Sequence, residues 1–575
     1  MKEDKTTSPA VEGSVILHGL TKLFSRITAA FGKSLLFSFF FDGKKRELAE
    51  KSVLYKKIET VEHKLDKGAS GIKKIISKQF SESKILKLLK NLRYSLLKMS
   101  IRSFGIGVLL FGAYSTAISI LRHYFSDKQY LDNGILIGIF CIIVSLVMLV
   151  SSKPIINLLC NSVSVAPFIE NIACLRPQEV YDSTNKPFSV NVPVFLGSAL
   201  GLASFFVEPI WIIMACAIII YASLVFFSPE FAINMLIILM PFLAEKHILI
   251  LILLAFASYL LKLIRGKRVF IAEIDEIIAL LVGIIGTVRC LINPGGSYMR
   301  VSLALAIPLL YVCVRNMFRS RRLSFALAKT IGYSFFIVYG LRIAYCLCDY
   351  MGISTAFTFK FPIGLSDLYA INEYGLLSIG FVLFSFIFQN VFLRRLFLGF
   401  ILSLYSTVIL ITENYALAIL LFIIVLAYLV ASRQKSIMYG IPFAAVMPLC
   451  YILFKDNEYL QRAMSVFTTD KAIGTVLTGR DFLFTFGIGG MFLLVVFIVS
   501  YFSKRMAVKC GNDSELRSLY AATTCGIISL FLYMFTNGVT LKPTSLMLIV
   551  IISALASTLN HNGKNLTAEE ISYEQ

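Results

Sequence analysis

At 575 residues the chain is long enough for several soluble domains, but 57% hydrophobic and only 15% charged residues, with a mean hydropathy of +0.78, exclude a water-solvated surface of that extent. The formal charge of +21 does not point to nucleic acid, because the basic residues fall between apolar runs or in the N-terminal tail, where topology and lipid electrostatics place them. Eleven cysteines, most of them inside apolar runs (Cys141, Cys216, Cys313, Cys450, Cys525), read as small embedded hydrophobes and not as a disulfide framework or a metal site.

Residues 1–102 hold 22 Lys/Arg against 10 Asp/Glu, more than half of the whole excess, so this tail is expected on the cytoplasmic side. Within it Ile72, Ile75, Ile76 and Phe80, then Ile85, Leu88, Leu89, Leu92 and Leu96, follow helical spacing with lysines opposite, as in basic amphipathic helices on an anionic leaflet. A small cytosolic helical hairpin packed on itself or on a partner fits the same pattern. The run LLFSFFF at 35–41 lies too far in, and lacks the small-residue cleavage site, for a secretory signal.

From Ser103 onward apolar segments recur at 103–121, 134–152, 188–207, 210–227, 231–243, 247–263, 277–291, 301–314, 324–347, 372–392, 395–411, 415–431, 437–454, 482–502, 519–536 and 545–559. A helix that crosses a hydrocarbon layer takes roughly 17 to 25 residues; several of these segments, 231–243 among them, are short. The expectation is an all-α polytopic integral membrane protein with about 14–16 transmembrane helices. Alternate connections carry LKLIRGKR (261–268), RNMFRSRR (315–322), FLRR (392–395), ASRQKS (431–436) and SKRMAVK (503–509). All of these fall on one side, which makes it the cytoplasmic side and puts both termini there. Residues 153–187 form a cytoplasmic linker behind an extra hairpin at 103–152. A core follows at 188–560, and a cytoplasmic tail at 561–575.

On the opposite face two long connections stand out, 348–371 and 455–481, among short links. Long loops confined to one face are where a polytopic protein builds a site. The ionisable residues gather at this rim: Arg289 and Arg342 toward outer helix ends, and Lys360, Asp367, Glu373, Arg462, Lys471, Arg480 and Asp481 in or beside the loops. Asp275 and Glu276 lie at an inner end. A transporter needs ionisable groups near the midplane and a repeated half, and neither is evident. A rim of arginines suits phosphate or diphosphate at headgroup depth, because a guanidinium grips two oxygens at once.

The stretches SPEFAINMLIILMPFLAEKH (228–247), INEYGLLSIG (371–380), LITENYALAILLFIIVLAYLVASRQK (410–435), RAMSV (462–466), TGRDFLFTFGIGGMFLLVVFIVSYFSKR (478–505) and the spans around TNG (536–538) carry a resemblance to the O-antigen ligase and Wzy-type polysaccharide polymerase superfamily. It covers roughly 188–560 and is one of hydropathy and loose motif. Members transfer a glycan from an undecaprenyl-diphosphate carrier outside the membrane, without metal or nucleotide. The resemblance implies arginines holding the diphosphate leaving group and, in ligases, a histidine in the large loop. This chain departs at Thr412, Glu413, Asn414 and Tyr415, where many relatives have a Ser-Arg-Gly-like turn, and its 455–481 loop contains no histidine.

The stretch TDKAIGTVLTGRDFLFTFGIGGM (469–491) reads two ways. Asp481 caps a helix and Arg480 anchors it at the interface, or Arg480 joins Arg462 and Lys471 in a cationic rim over a groove. Gly487, Gly489 and Gly490 serve close helix approach. Arg289 and Arg342 either contact a carrier diphosphate or snorkel. Asp367 and Glu373 either act as a general base toward a sugar hydroxyl or are solvated loop acids.

The expectation is therefore a glycan polymerase or ligase of the bacterial cytoplasmic membrane, acting in cell-surface polysaccharide biosynthesis. Arg480, Arg462 and Asp367 are its catalytic candidates, and Arg289, Arg342, Lys471 and Lys360 bind substrate, with no cofactor or metal. Its partners would be a polyprenyl-diphosphate-linked glycan, anionic lipids and other envelope glycan assembly proteins. A catalytically inactive scaffold or regulator of that assembly is the alternative, and a transporter or flippase the third.

Overall fold

A computed structural model of the chain describes residues 94–125, 133–157, 186–243, 245–264, 274–292, 298–350, 368–388, 485–493, 514–537 and 543–562, with 91, 399, 420–421, 423–425 and 427–429. Among the described residues the structure is helical and holds no strand, only an isolated antiparallel bridge between Ser100 and Pro154. The helices in order are α1 (Ile101–Phe125), α2 (Asn133–Leu149), α3 (Asn191–Ala203), α4 (Pro209–Phe227), α5 (Pro229–Leu239), α6 (Glu245–Ile264), α7 (Ile274–Ile292), α8 (Tyr298–Met317), α9 (Arg321–Tyr350), α10 (Leu368–Ile387), α11 (Ser514–Asn537) and α12 (Pro543–Asn562). Every apolar segment expected between 103 and 392, and the last two, carries one of these helices. The N-terminal 1–90 and segment 437–454 lie outside the described residues, as does 395–411 except for 399, and 415–431 and 482–502 are described only in part. Among the described residues three stretches, Ile101–Arg122, Pro209–Phe226 and Arg321–Gly340, are long and apolar enough to cross a membrane.

The chain divides into two compact units. One comprises Gly71–Asn234 with Ala257–Arg268, and the other Met1–Ser70, Met235–Phe256 and Val269–Gln575. In the first, α1 packs between α2 and α3 while α4 leans on α2. The approach is close because glycines face each other: a Cβ on Gly107 would stand 2.8 Å from the Pro193 carbonyl oxygen, and one on Gly197 would strike the Gly107 backbone. Arg122, at the far end of α1, donates to the carbonyls of Ser204 at 3.0 Å and Phe205 at 2.6 Å, which satisfies orphan acceptors at the end of α3. At the near end, Ser100 caps α1 by accepting from the Ser103 amide at 3.2 Å.

In the second unit α12 is the hub, touching α8, α9, α10 and α11. Its Met547, Leu548, Ile551, Ile552, Ala554 and Leu555 are fully buried. The α10–α11 pair is tight: a Cβ on Gly380 would lie 2.7 Å from the Ala522 carbonyl, and one on Gly526 2.7 Å from the Leu377 carbonyl. Ser529 crosses the same seam to donate to the Leu376 carbonyl at 3.1 Å.

Two prolines shape the core. Pro241 has no N–H, so the Ile237 carbonyl four residues back loses its helical partner and α5 stops, passing into a 3-10 turn at Met240–Phe242. The Tyr374 hydroxyl on α10 donates to that carbonyl at 3.1 Å and lies 2.5 Å from Ser334 Oγ on α9. Pro308 sits inside α8 and likewise takes the amide partner from Ala304. Gly283 of α7 fits against this kink, where a Cβ would strike the proline ring and stand 3.1 Å from the Ala304 oxygen.

Candidate functional site

The α7 face that meets α8 continues one turn beyond Gly283 to Gly286 and then to Arg289 in the last turn. Segment 485–493 lies against this face. Phe486 joins Ile278, Val282 and Ala304 in one buried cluster, and its ring covers Gly286, where a Cβ would come within 2.9 Å of it. The next residue, Gly487, takes φ 66°, a left-handed conformation that costs a side-chain-bearing residue roughly 1–2 kcal/mol. Over it rests the Arg289 guanidinium, close enough that any Cβ on Gly487 would collide with Nη1. The glycine is thus required twice, by backbone sign and by the arginine seated on it.

Arg289 is half-buried and stands on an exposed apolar face of α7, where Ile284, Ile285, Val288 and Ile292 border an open space of about 480 Å³. One cation against an aliphatic face is the arrangement an amphiphile with an anionic head requires. The site therefore joins one of the expected substrate-binding arginines to the glycine-bearing stretch that follows TGRD. Of the three glycines there, Gly487 meets Arg289, Gly489 faces open space and Gly490 faces Phe486 of its own segment.

The other expected residues divide. Arg480, Arg462, Asp367, Lys471 and Lys360, with Asp481, lie outside the described residues. Arg342 falls within α9, and its side chain is outside them. Glu373 corrects an expectation: it is 5% exposed on α10, not a solvated loop acid, since its helix already begins at Leu368.

Arg315 is a second correction. It opens the basic RNMFRSRR stretch expected as a connection on the cytoplasmic side, yet it lies inside α8, its side chain is 2% exposed and it pairs at 2.7 Å with Glu276, itself 0% exposed. The cause is antiparallel register: positions 276 and 315 are nearly equidistant from the connection between α7 and α8, so their ends coincide. Glu230, in the first turn of α5, is likewise held by Lys262 of α6 at 3.1 Å and by the Ser228 hydroxyl at 3.2 Å. Both pairs were legible as an acid and a base at facing ends of consecutive helices. The cysteines at 141, 216, 290, 313 and 525 form no disulfide. Among the described residues no cluster of His, Cys, Asp and Glu has metal-binding geometry.

Compared with known proteins, the chain matches no family model, no curated protein and no solved structure.

Proposed function

We propose that the chain is a polytopic protein of the bacterial cytoplasmic membrane, with both termini cytoplasmic, that handles a polyprenyl-diphosphate-linked glycan in cell-surface polysaccharide biosynthesis. The carrying observation is Arg289 seated on Gly487 beside an exposed aliphatic face. The isoprenoid lies along Ile284, Ile285, Val288 and Ile292, and the diphosphate meets the guanidinium. In this reading Arg289, thirteen residues or about 20 Å along α7 from Glu276, stands toward the membrane boundary opposite the basic connections.

Arg289 then binds the leaving diphosphate while Arg462 and Arg480, which precede Gly487 in the chain, complete the anion site, and Arg342, Lys471 and Lys360 extend it. A fixed cation facing the leaving group stabilises charge that grows as the glycosidic bond to the diphosphate breaks. Asp367 takes the proton of the attacking sugar hydroxyl. The products are a lengthened glycan and free polyprenyl diphosphate.

The test is release of polyprenyl diphosphate by the full chain in micelles supplied with a lipid-linked oligosaccharide. Arg289→Ala is expected to lower the rate by about 10²- to 10³-fold, with Arg289→Lys intermediate. A wild-type chain that binds the donor without releasing the carrier is a scaffold, and overturns the catalytic reading. Unchanged turnover in Arg289→Ala removes this site from it.

A further inference from the structure

The start of α1 and the end of α2 are tied by backbone pairing: the Ile101 amide donates to the Lys153 carbonyl at 3.0 Å, Arg102 to Ser151 at 3.0 Å, and Ile155 to Met99 at 2.9 Å. Tyr94 and Ile156 are buried together beneath this junction, so it is a fixed platform. It carries Lys98, Arg102 and Lys153, the last two exposed. Neither 94–102 nor 150–157 contains an acidic residue. The amides of Ile101 and Arg102 are already used by carbonyls, so attraction for an anion comes from the side chains. Two like charges on paired segments repel one another, and an anion between them removes that cost.

Below the cations α2 presents an exposed apolar stripe, Phe140, Ile143, Val147 and Val150, the last two 71% and 87% exposed. From Phe140 to Val150 the helix rises about 15 Å, the depth of one leaflet of a hydrocarbon layer about 30 Å thick. A cationic corner joined to a leaflet-length apolar stripe has the shape of a phospholipid.

We infer that this corner is a binding site for an anionic phospholipid, its phosphate between Arg102 and Lys153 and an acyl chain along the α2 stripe. The inference rests on α1 and α2 crossing a membrane, and is independent of the donor site at Arg289.

The experiment is native mass spectrometry of the full chain in micelles holding equal phosphatidylglycerol and phosphatidylcholine. The wild type retains phosphatidylglycerol. Arg102→Gln with Lys153→Gln lowers the retained ratio about thirty-fold, two cations at about 1 kcal/mol each. Arg322→Gln with Lys186→Gln, the same charge loss at exposed positions elsewhere, leaves it unchanged, and Arg102→Lys with Lys153→Arg restores it. Equal loss from both glutamine pairs, or no preference in the wild type, overturns the site. Competition by soluble glycerol phosphate at matching concentration overturns the lipid in favour of a free anion. Resistance of the chain to alkaline carbonate extraction, measured alongside, separates failure of this site from failure of the membrane-spanning reading.

Discussion

Removing the Arg315 side chain leaves Glu276, 0% exposed and 2.7 Å from its partner, as a charge with its principal counterion gone. Breaking one side of such a pair costs about 3–5 kcal/mol. The pair lies in the unit that comprises Met1–Ser70, Met235–Phe256 and Val269–Gln575; for a unit of that size about 2 cal/mol/K per residue gives roughly 1 °C per kcal/mol, so Arg315→Met should lower the half-melting temperature by roughly 4 to 6 °C. The assay is built into the two helices concerned. Cys290 on α7 and Cys313 on α8 are buried, so in a chain whose other cysteines are replaced by serine or alanine a thiol-reactive fluorophore stays dark until this region opens. Replacing both members, Glu276→Leu with Arg315→Met, removes the stranded charge, and such exchanges are often neutral or stabilising. The double variant should therefore melt above either single one, with a coupling energy of about 1 kcal/mol or more. A single variant melting with the wild type, or a double variant melting below both singles, would refute the pair as a buried, mutually compensating unit.

Gly487→Ala should lose donor binding while keeping expression, because a Cβ there displaces the Arg289 guanidinium and carries the left-handed penalty; binding of a fluorescent polyprenyl diphosphate reads it, and wild-type affinity would count against the contact. Tyr374→Phe strands the Ile237 carbonyl and should cost about 1–3 kcal/mol, measured by the same thiol melt. Ser334→Ala, which leaves the tyrosine free to serve that carbonyl, should cost less. Gly380→Leu should part α10 from α11, since even a Cβ meets the Ala522 carbonyl at 2.7 Å. Its mark is early labelling of Cys525, kept as the sole cysteine and one turn from that contact, at temperatures where the same chain with Gly380 intact is unreactive.

Much of the helical layout follows from hydropathy alone, because each helix must satisfy its own backbone and bury or expose an apolar surface over a fixed length. Pro241 and Pro308 are equally legible, each deleting an identifiable hydrogen bond. The Glu276–Arg315 pair is visible in principle as an acid and a base equidistant from one connection, but an arginine in a run of basic residues carries the same spacing whether it faces water or a buried acid. Arg289 was singled out for its position near a helix end. Its seat on Gly487, nearly two hundred residues away, has no signal in spacing, because it depends on which helices neighbour each other in space. Glu373 was misjudged for a related reason: nothing local separates a polar helix start from a loop end, and the packing of α10 decides it.

The carbonyl left bare by Pro241 also sets an order of events during synthesis. Its donor on Tyr374 comes 137 residues later, a delay of roughly 7 to 27 s at about 5–20 residues per second. Through that interval the break after α5 must be hydrated or borrowed by another donor, so a ribosome-bound intermediate ending before residue 368 should stay open there. The closing of that gap makes α10 the late-arriving keystone of its neighbourhood.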